Sequence, residues 1–375
     1  MKRFFIFLFI FFPVFFGFAQ SKQLAENYFE KGEFEKALNI YEKLLTQNPN
    51  DPEIFFALIA SHQQLEHYSE AEKLLLNMAN NSANVPTVLV ELGHNYELQE
   101  NREKSQFYYR EALKAIEARP NFAAAIARNF EKYSLLDEAV KAYEIGMRLN
   151  PDVNYNIQLA RLYGEQGEIE KMLSNYIDLI EKNPNFLPAA SRVYSQFITE
   201  DPQNEANIIF RKLLLKKLQE NQEILFNEML SWLFIQQNEF KKAFLQEKAI
   251  YNRSDSNLSR IIQLAVMSKE KDPETSMEVL DFIVENSASE DLKLQAHQIK
   301  LNILQEKAEK AELADIEKQY REILETYGSG LNTISLQIDF ANFLSFSREK
   351  PEEGIQLLNQ LLEKQPQKFE EAAAK

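Results

Sequence analysis

Apolar residues recur along this chain at intervals of three and four, the spacing of a single helix face. From Tyr28 onward the helical pattern itself repeats. Tyr28, His62, Tyr96, Phe130, Tyr163 and Phe197 form a column of ring-bearing side chains, separated by 34, 34, 34, 33 and 34 residues. Ala37, Ala71, Ser105, Ala139, Met172 and Ala206 form a second column with the same steps, and Tyr41, Leu75, Tyr109, Tyr143, Tyr176 and Phe210 a third. Pro49, Pro151 and Pro184 close three of the units. A fixed period of this length marks stacked repeats rather than one globular core.

Within a unit the second column lies nine residues after the first, and the third four after the second. Ala37 and Tyr41 therefore sit one turn apart on one helix, and Tyr28 lies on an earlier helix. Gly32 and Glu33 mark the turn between them. Gly32, and Gly167 in its own unit, fit a left-handed helix-ending position where a Cβ is costly. Each unit reads as an antiparallel helix pair with a small residue at the close crossing and large aromatics beside it. A single pair cannot bury its apolar face, so the pairs must stack. The expected fold is an all-α solenoid.

These units resemble the tetratricopeptide repeat family. The first shows Leu24-Ala25, Tyr28, Gly32, Phe34, Ala37, Tyr41, Leu45 and Pro49. The third shows Leu92-Gly93, Tyr96, Tyr109, Ala112 and Leu113, and the fifth Leu159-Ala160, Tyr163, Gly167, Ile169, Tyr176 and Pro184. The resemblance implies a right-handed superhelix of stacked helix pairs. It is specific from about Ser21 to Leu214. We therefore divide the chain into residues 20–221, with about six repeats in clear register, and residues 222–375, read as degenerate repeats. In the latter, Phe234, Phe240 and Ala243 echo the pattern after a shift of three residues, and Gly354, Leu358, Leu361 and Pro366 echo its second half. Nine or ten units are expected in all. The alternative is a separate helical domain from about Gln222. Lys368–Lys375 read as the start of another first helix, so the array is expected either to continue beyond residue 375 or to end in an amphipathic capping tail.

The N-terminus has a different pattern. Lys2 and Arg3 precede an apolar run from Phe4 to Ala19, broken by Pro13, and Gly17-Phe18-Ala19 supplies small residues before Gln20. This is the layout of a secretory signal peptide over residues 1–19. The run is short for a spanning helix, although an uncleaved anchor would leave the rest exported too. No later segment is apolar enough to span a membrane. The expected location is periplasmic or secreted. The chain has no Cys, which removes disulfides, thiolate metal sites and a lipoprotein anchor.

Composition supports the helical reading, with nine Gly and twelve Pro among 375 residues, too few for a turn-rich β fold. The net charge is −15, and loss of Lys2 and Arg3 would make it more negative. Such a field disfavours nucleic acid. Searching for chemistry yields little. His62 and His67 are five apart, which is not a same-face spacing for two metal ligands. His62 stands in the ring column and reads as a core residue. Gly328-Ser329-Gly330 lacks the following Lys of a phosphate loop. Trp232 is the only Trp and reads as solitary. No catalytic motif, cofactor or metal site is expected.

The family resemblance implies that extended or helical segments of partner proteins bind on a concave face lined by first helices, at the fifth, ninth and twelfth positions of each unit. These positions give Lys22, Glu26 and Phe29, then Phe56, Ala60 and Gln63, then Val90, His94 and Glu97. The next two units give Ala124, Arg128 and Glu131, and Ile157, Arg161 and Gly164. The candidate binding residues are Lys22, Phe56, Gln63, Val90, His94, Glu97, Arg128, Ile157 and Arg161. Phe56, Val90 and Ile157 would be unusual on an uncovered surface. Arg128 and Arg161 share a column and could grip a carboxylate. Alternatively, they pair with Glu131 and Glu165. Some relatives clamp a chaperone C-terminus with Lys, Asn, Asn, Lys and Arg. The corresponding residues here are Lys22, Glu26, Ala57, Thr87 and Glu91, which argues against that clamp. The function expected is a non-catalytic protein-interaction scaffold in the cell envelope. The alternative is the binding or sensor portion of a larger envelope protein, a receptor ectodomain or enzyme-associated module.

Overall fold

The computed structural model describes residues 20–81, 86–254 and 258–364. The expected signal peptide at 1–19 and the expected further first helix in Lys368–Lys375 lie outside these residues. Among the described residues the structure is all-helical, without a strand. Within them twenty α-helices follow one another as ten hairpins. The first two are α1 (20–30) with α2 (Phe34–Gln47), and α3 (Pro52–Gln64) with α4 (Tyr68–Asn81). Next come α5 (Val88–Glu97) with α6 (Arg102–Ala118), α7 (Ala123–Lys132) with α8 (Leu136–Leu149), and α9 (Asn156–Glu165) with α10 (Ile169–Lys182). Then follow α11 (Leu187–Tyr194) with α12 (Glu205–Glu220), and α13 (Ile224–Gln236) with α14 (Phe240–Ser254). The last are α15 (Ser259–Ser268) with α16 (Pro273–Asn286), α17 (Glu290–Lys307) with α18 (Leu313–Tyr327), and α19 (Ile334–Asn342) with α20 (Pro351–Lys364). The chain forms two compact units, Met1–Leu179 and Ile180–Lys375.

Local chemistry sets the helix ends. The Asp51 carboxylate accepts from the amides of Glu53 and Ile54, with Pro52 at the first helical position of α3, where its missing N–H has no cost. Asn101, Asn204, Asp272 and Ser289 cap α6, α12, α16 and α17 in the same way. The turn inside most hairpins is more uniform. Gly32 and Gly167 take φ of 76° and 75°, as their spacing predicts. Glu66, Glu100, Ser134, Asn238 and Glu349 also lie at positive φ, from 56° to 60°. The amide after the left-handed residue donates five residues back in six hairpins. The pairs are Glu33 to Tyr28, His67 to His62, Asn101 to Tyr96, Leu135 to Phe130, Glu168 to Tyr163 and Glu239 to Phe234, all at 2.8–3.0 Å. This is a Schellman closure, and the carbonyl it uses always belongs to the ring column.

In the first unit the columns form the core. Ala37, Ala71, Ser105, Ala139 and Met172 are buried, as are Tyr41, Leu75, Tyr109, Tyr143 and Tyr176. At the third crossing the Tyr109 ring lies so close to Gly93 that any Cβ there would overlap its Cδ1 and Cε1.

The second unit departs from the pattern at once. Phe197 is not the core aromatic of its hairpin, because α11 ends at Tyr194 and Phe197 falls in the connection that follows. Tyr194 takes the slot, 1% exposed and 4.9 Å from the Phe210 ring. Asn207 pins the long connection by donating to the carbonyls of Thr199 and Asp201 at 2.8 and 2.7 Å. The period resumes at Phe234. Further on, Glu317 of α18 accepts from Arg321 Nη2 at 2.8 Å, Arg348 Nε at 2.7 Å and Lys350 Nζ at 3.1 Å. These bonds tie α18 to the turn of the last hairpin.

Candidate functional site

The residues expected to meet a partner in the first unit lie on α1, α3, α5, α7 and α9. Lys22 Nζ is 2.6 Å from Glu53 and 3.9 Å from Glu26, and the hydrogen bond to Glu53 raises its pKa. Phe56 is half-buried, its ring edge-on to Phe55 at 5.4 Å. Ile157 is 44% exposed, a large apolar side chain open to contact.

Val90 corrects the expectation of exposure, because it is fully buried. The physical reason is the joint between α5 and the next first helix, α7. Across it Asn129 Nδ2 donates to the Thr87 carbonyl at 3.2 Å. Lys132 Nζ and the Tyr133 hydroxyl reach the buried Glu91 carboxylate at 3.0 and 2.5 Å. Gln63 is buried likewise, its Nε2 3.5 Å from Asn95 Oδ1 on α5. His94 is half-buried and lies flat on Tyr133, with ring centroids 3.6 Å apart and planes 16° apart. Burial holds its pKa below the ordinary histidine value, so the imidazole is neutral at pH 7. These residues join neighbouring repeats.

The more exposed members form a ladder. The Tyr109 hydroxyl donates to Glu97 at 2.5 Å and the Tyr143 hydroxyl to Glu131 at 2.9 Å, each twelve residues back. Glu131 also binds Arg161, whose Nη1 donates to Glu165 at 2.7 Å. Burial works against the Arg161 charge, and its bonds to Glu165 and Glu131 outweigh that effect. Arg128 is exposed, and its Nε donates to the Ala124 carbonyl of its own helix at 3.1 Å. The two arginines of one column thus have unlike surroundings. His62 is buried, as its column predicts, and burial lowers its pKa. Among the described residues no three His, Asp or Glu side chains come together as metal ligands, and no helix is long and apolar enough to cross a membrane.

The second unit holds a cavity of about 230 Å³ among three successive first helices. Leu187, Ser191 and Tyr194 reach it from α11, and Glu228, Trp232 and Ile235 from α13. Arg260, Leu264 and Met267 reach it from α15. Each triplet is offset by four and then three residues, the spacing of Lys22, Glu26 and Phe29 on α1. One signal for these positions stands in the sequence. If Phe234 marks the ring column, then Glu228, Trp232 and Ile235 are the fifth, ninth and twelfth positions of that unit. The α11 triplet is out of this register, since Tyr194 itself fills the ring slot, and Arg260 follows Glu228 by only 32 residues. Trp232 is not solitary: its ring stands edge-on to Tyr194 at 5.2 Å, with Phe210 at 6.4 Å.

Beneath the rings is a charged triad. Arg260 donates from Nε and Nη2 to the two oxygens of Glu247, both at 2.8 Å, a forked geometry that fixes the guanidinium plane. Its Nη1 is 3.3 Å from Glu228. Glu247 is 3% exposed and also accepts from the Ser231 hydroxyl. Such a site, with apolar walls and a few fixed polar groups, is suited to binding a side chain.

Residues 28–88 match one tetratricopeptide repeat family model and residues 86–119 another. Over 158 residues the chain is 25% identical to Protein O-mannosyl-transferase TMTC1 of Homo sapiens. That match spans 40% of this chain and only 17% of the relative. Among solved structures the chain is similar to a thermophilic TPR protein of Thermus thermophilus, at 22% identity and a TM-score of 0.29, over 48% of this chain and 97% of that one. It is also similar to the C-terminal part of a TPR repeat-containing protein from Cytophaga hutchinsonii. There the identity is 17% and the TM-score 0.28, over 64% of this chain and 98% of that one. Residues 28–119 of this chain carry tetratricopeptide repeats.

Proposed function

We propose that this chain is a non-catalytic protein-interaction scaffold of the cell envelope. In this reading residues 1–19 direct export, and the first helices bind extended or helical segments of other proteins. The repeats divide into the regular array at 20–221 and its degenerate continuation at 222–375. One observation carries the reading: in the first unit Glu97, Arg128, Ile157 and Arg161, at recurring repeat positions on the successive first helices α5, α7 and α9, are exposed. Repeats stacked side by side turn such positions into an extended surface. The net charge of −15 favours a protein partner over nucleic acid, and the partner face combines Ile157 with the Arg128 and Arg161 column.

The test is site-specific photo-crosslinking in the exporting cell. A benzophenone amino acid replaces Ile157 on the first helix α9, or Phe107 on the second helix α6, which is 49% exposed. Discrete cross-linked partners from position 157 and none from 107 are expected. Equal patterns from the two positions, or none from either, would refute binding on the first-helix face. Intact-mass analysis of the exported protein checks the signal peptide, since a mass that includes residues 1–19 would contradict cleavage.

A further inference from the structure

We infer that the cavity formed by α11, α13 and α15 is an anchor site for a partner segment that presents a large apolar side chain next to a Lys or Arg. This rests on the scaffold reading above and adds where a partner is gripped and by what chemistry. Size comes first. At about 230 Å³ the cavity is smaller than the roughly 300–1,000 Å³ of sites for drug-sized ligands and cofactors. A protein side chain is the better match, and protein interfaces concentrate their affinity in such desolvated pockets. The walls supply apolar contact from Trp232 and Ile235, while Met267 stands at the mouth, 53% exposed.

Charge then selects the neighbour of that side chain. Two carboxylates, Glu228 and Glu247, face a single cation, Arg260. Glu247 is 3% exposed and already accepts three bonds, the forked pair from Arg260 and one from Ser231. Glu228 receives only the longer 3.3 Å approach of Arg260 Nη1 and is 31% exposed. A carboxylate offers about four acceptor positions, so Glu228 can accept a further donor from outside. The lining therefore carries one negative charge in excess beside an apolar wall. Trp232 lines the same cavity, and an indole is the strongest of the aromatic faces for a positive charge. An acidic segment would meet repulsion from the same groups.

Trp232 is the only tryptophan of the chain, so its fluorescence reports this site alone. The experiment selects a random dodecapeptide library against the full chain and titrates the selected peptides while reading Trp232 emission and peptide anisotropy. With Trp left out of the library, the expected result is enrichment of Lys or Arg beside Leu or Phe, with a shift of Trp232 emission at the same midpoint as the anisotropy. Affinity should fall at least tenfold in Met267→Arg, a substitution at an exposed position that leaves the core intact. Glu228→Gln should weaken the basic peptides and reduce their salt dependence. Selected peptides that are acidic, or that leave Trp232 emission unchanged and depend on Ile157 or Arg161 instead, would overturn this inference while leaving the scaffold reading in place. A library that yields no binder overturns both.

Discussion

The Tyr109 ring packs against Gly93 with no room for a methyl group between them. Gly93 lies within α5, where Ala would ordinarily gain about 1 kcal/mol in helix propensity. The 2% exposed Tyr109 has nowhere to retreat, and overfilling a packed site costs roughly 1–3 kcal/mol. Gly93→Ala should therefore lower the denaturation midpoint, and the loss should shrink when combined with Tyr109→Leu. A double-mutant cycle by urea titration reads the coupling. Ala139→Trp, at a fully buried crossing in the next hairpin, should cost at least as much.

Five hairpin turns place a residue with a side chain where glycine is easiest. A left-handed conformation costs such residues roughly 1–2 kcal/mol, and part of that gain is lost to the greater unfolded freedom of glycine. Glu66→Gly and Glu100→Gly should each raise stability by about 0.5–1 kcal/mol. Asn238→Gly should gain less, since Asn tolerates this region. In the opposite direction, Gly32→Ala and Gly167→Ala should each lose about 1 kcal/mol, although a Cβ at either would touch nothing. Thermal melts of the single variants measure all five.

Glu317 makes acid stability testable. Burial favours its neutral form, yet hydrogen bonds from Arg321, Arg348 and Lys350 hold the pKa down at about 2, against an ordinary 4.5. A depressed carboxylate stabilises the fold above its unfolded pKa, and this is lost as pH falls through the folded one. The window therefore runs from about pH 4.5 down to 2. At 11% exposure the effect is about 3 kcal/mol at neutral pH. Glu317→Gln should lose that much at pH 7, and its difference from the parent should close across the same window in chemical denaturation.

Arg161 should behave otherwise. Its side chain is 46% exposed, and surface ion pairs contribute about 0–1 kcal/mol. Arg161→Ala should shift stability by less than 1 kcal/mol, which a urea midpoint would show. A loss of partner binding in that variant would then report on contact rather than on folding.

Legibility in the sequence follows the turn geometry. From Tyr28 to Tyr163 the ring column is bound to the Schellman turn that ends its helix, so backbone hydrogen bonds hold each ring at a fixed distance from its turn. At Phe197 that coupling fails. Tyr194 takes the core slot three residues early, and a long connection pinned by Asn207 absorbs the difference. Exposure of a candidate residue was readable where spacing alone decides it, as at Ile157. It was not readable at Val90 or Gln63, because a helix facing a neighbouring repeat buries residues that face solvent in an isolated pair. Trp232 was hidden for another reason, since its partners Tyr194 and Phe210 lie 38 and 22 residues upstream and in a different register.

The hairpins also lean mainly on their neighbours. Within each unit the principal helix contacts join elements adjacent in sequence or one removed, such as α5 with α6 and α7. Bonds like Lys132 to Glu91 span little more than one repeat. Contacts this local close small loops, so ordering can start at any hairpin and spread outward. Injury is confined by the same logic. A substitution that loosens one hairpin weakens its two junctions and leaves distant ones formed, so the chain can accumulate changes, or gain and lose whole repeats, one module at a time.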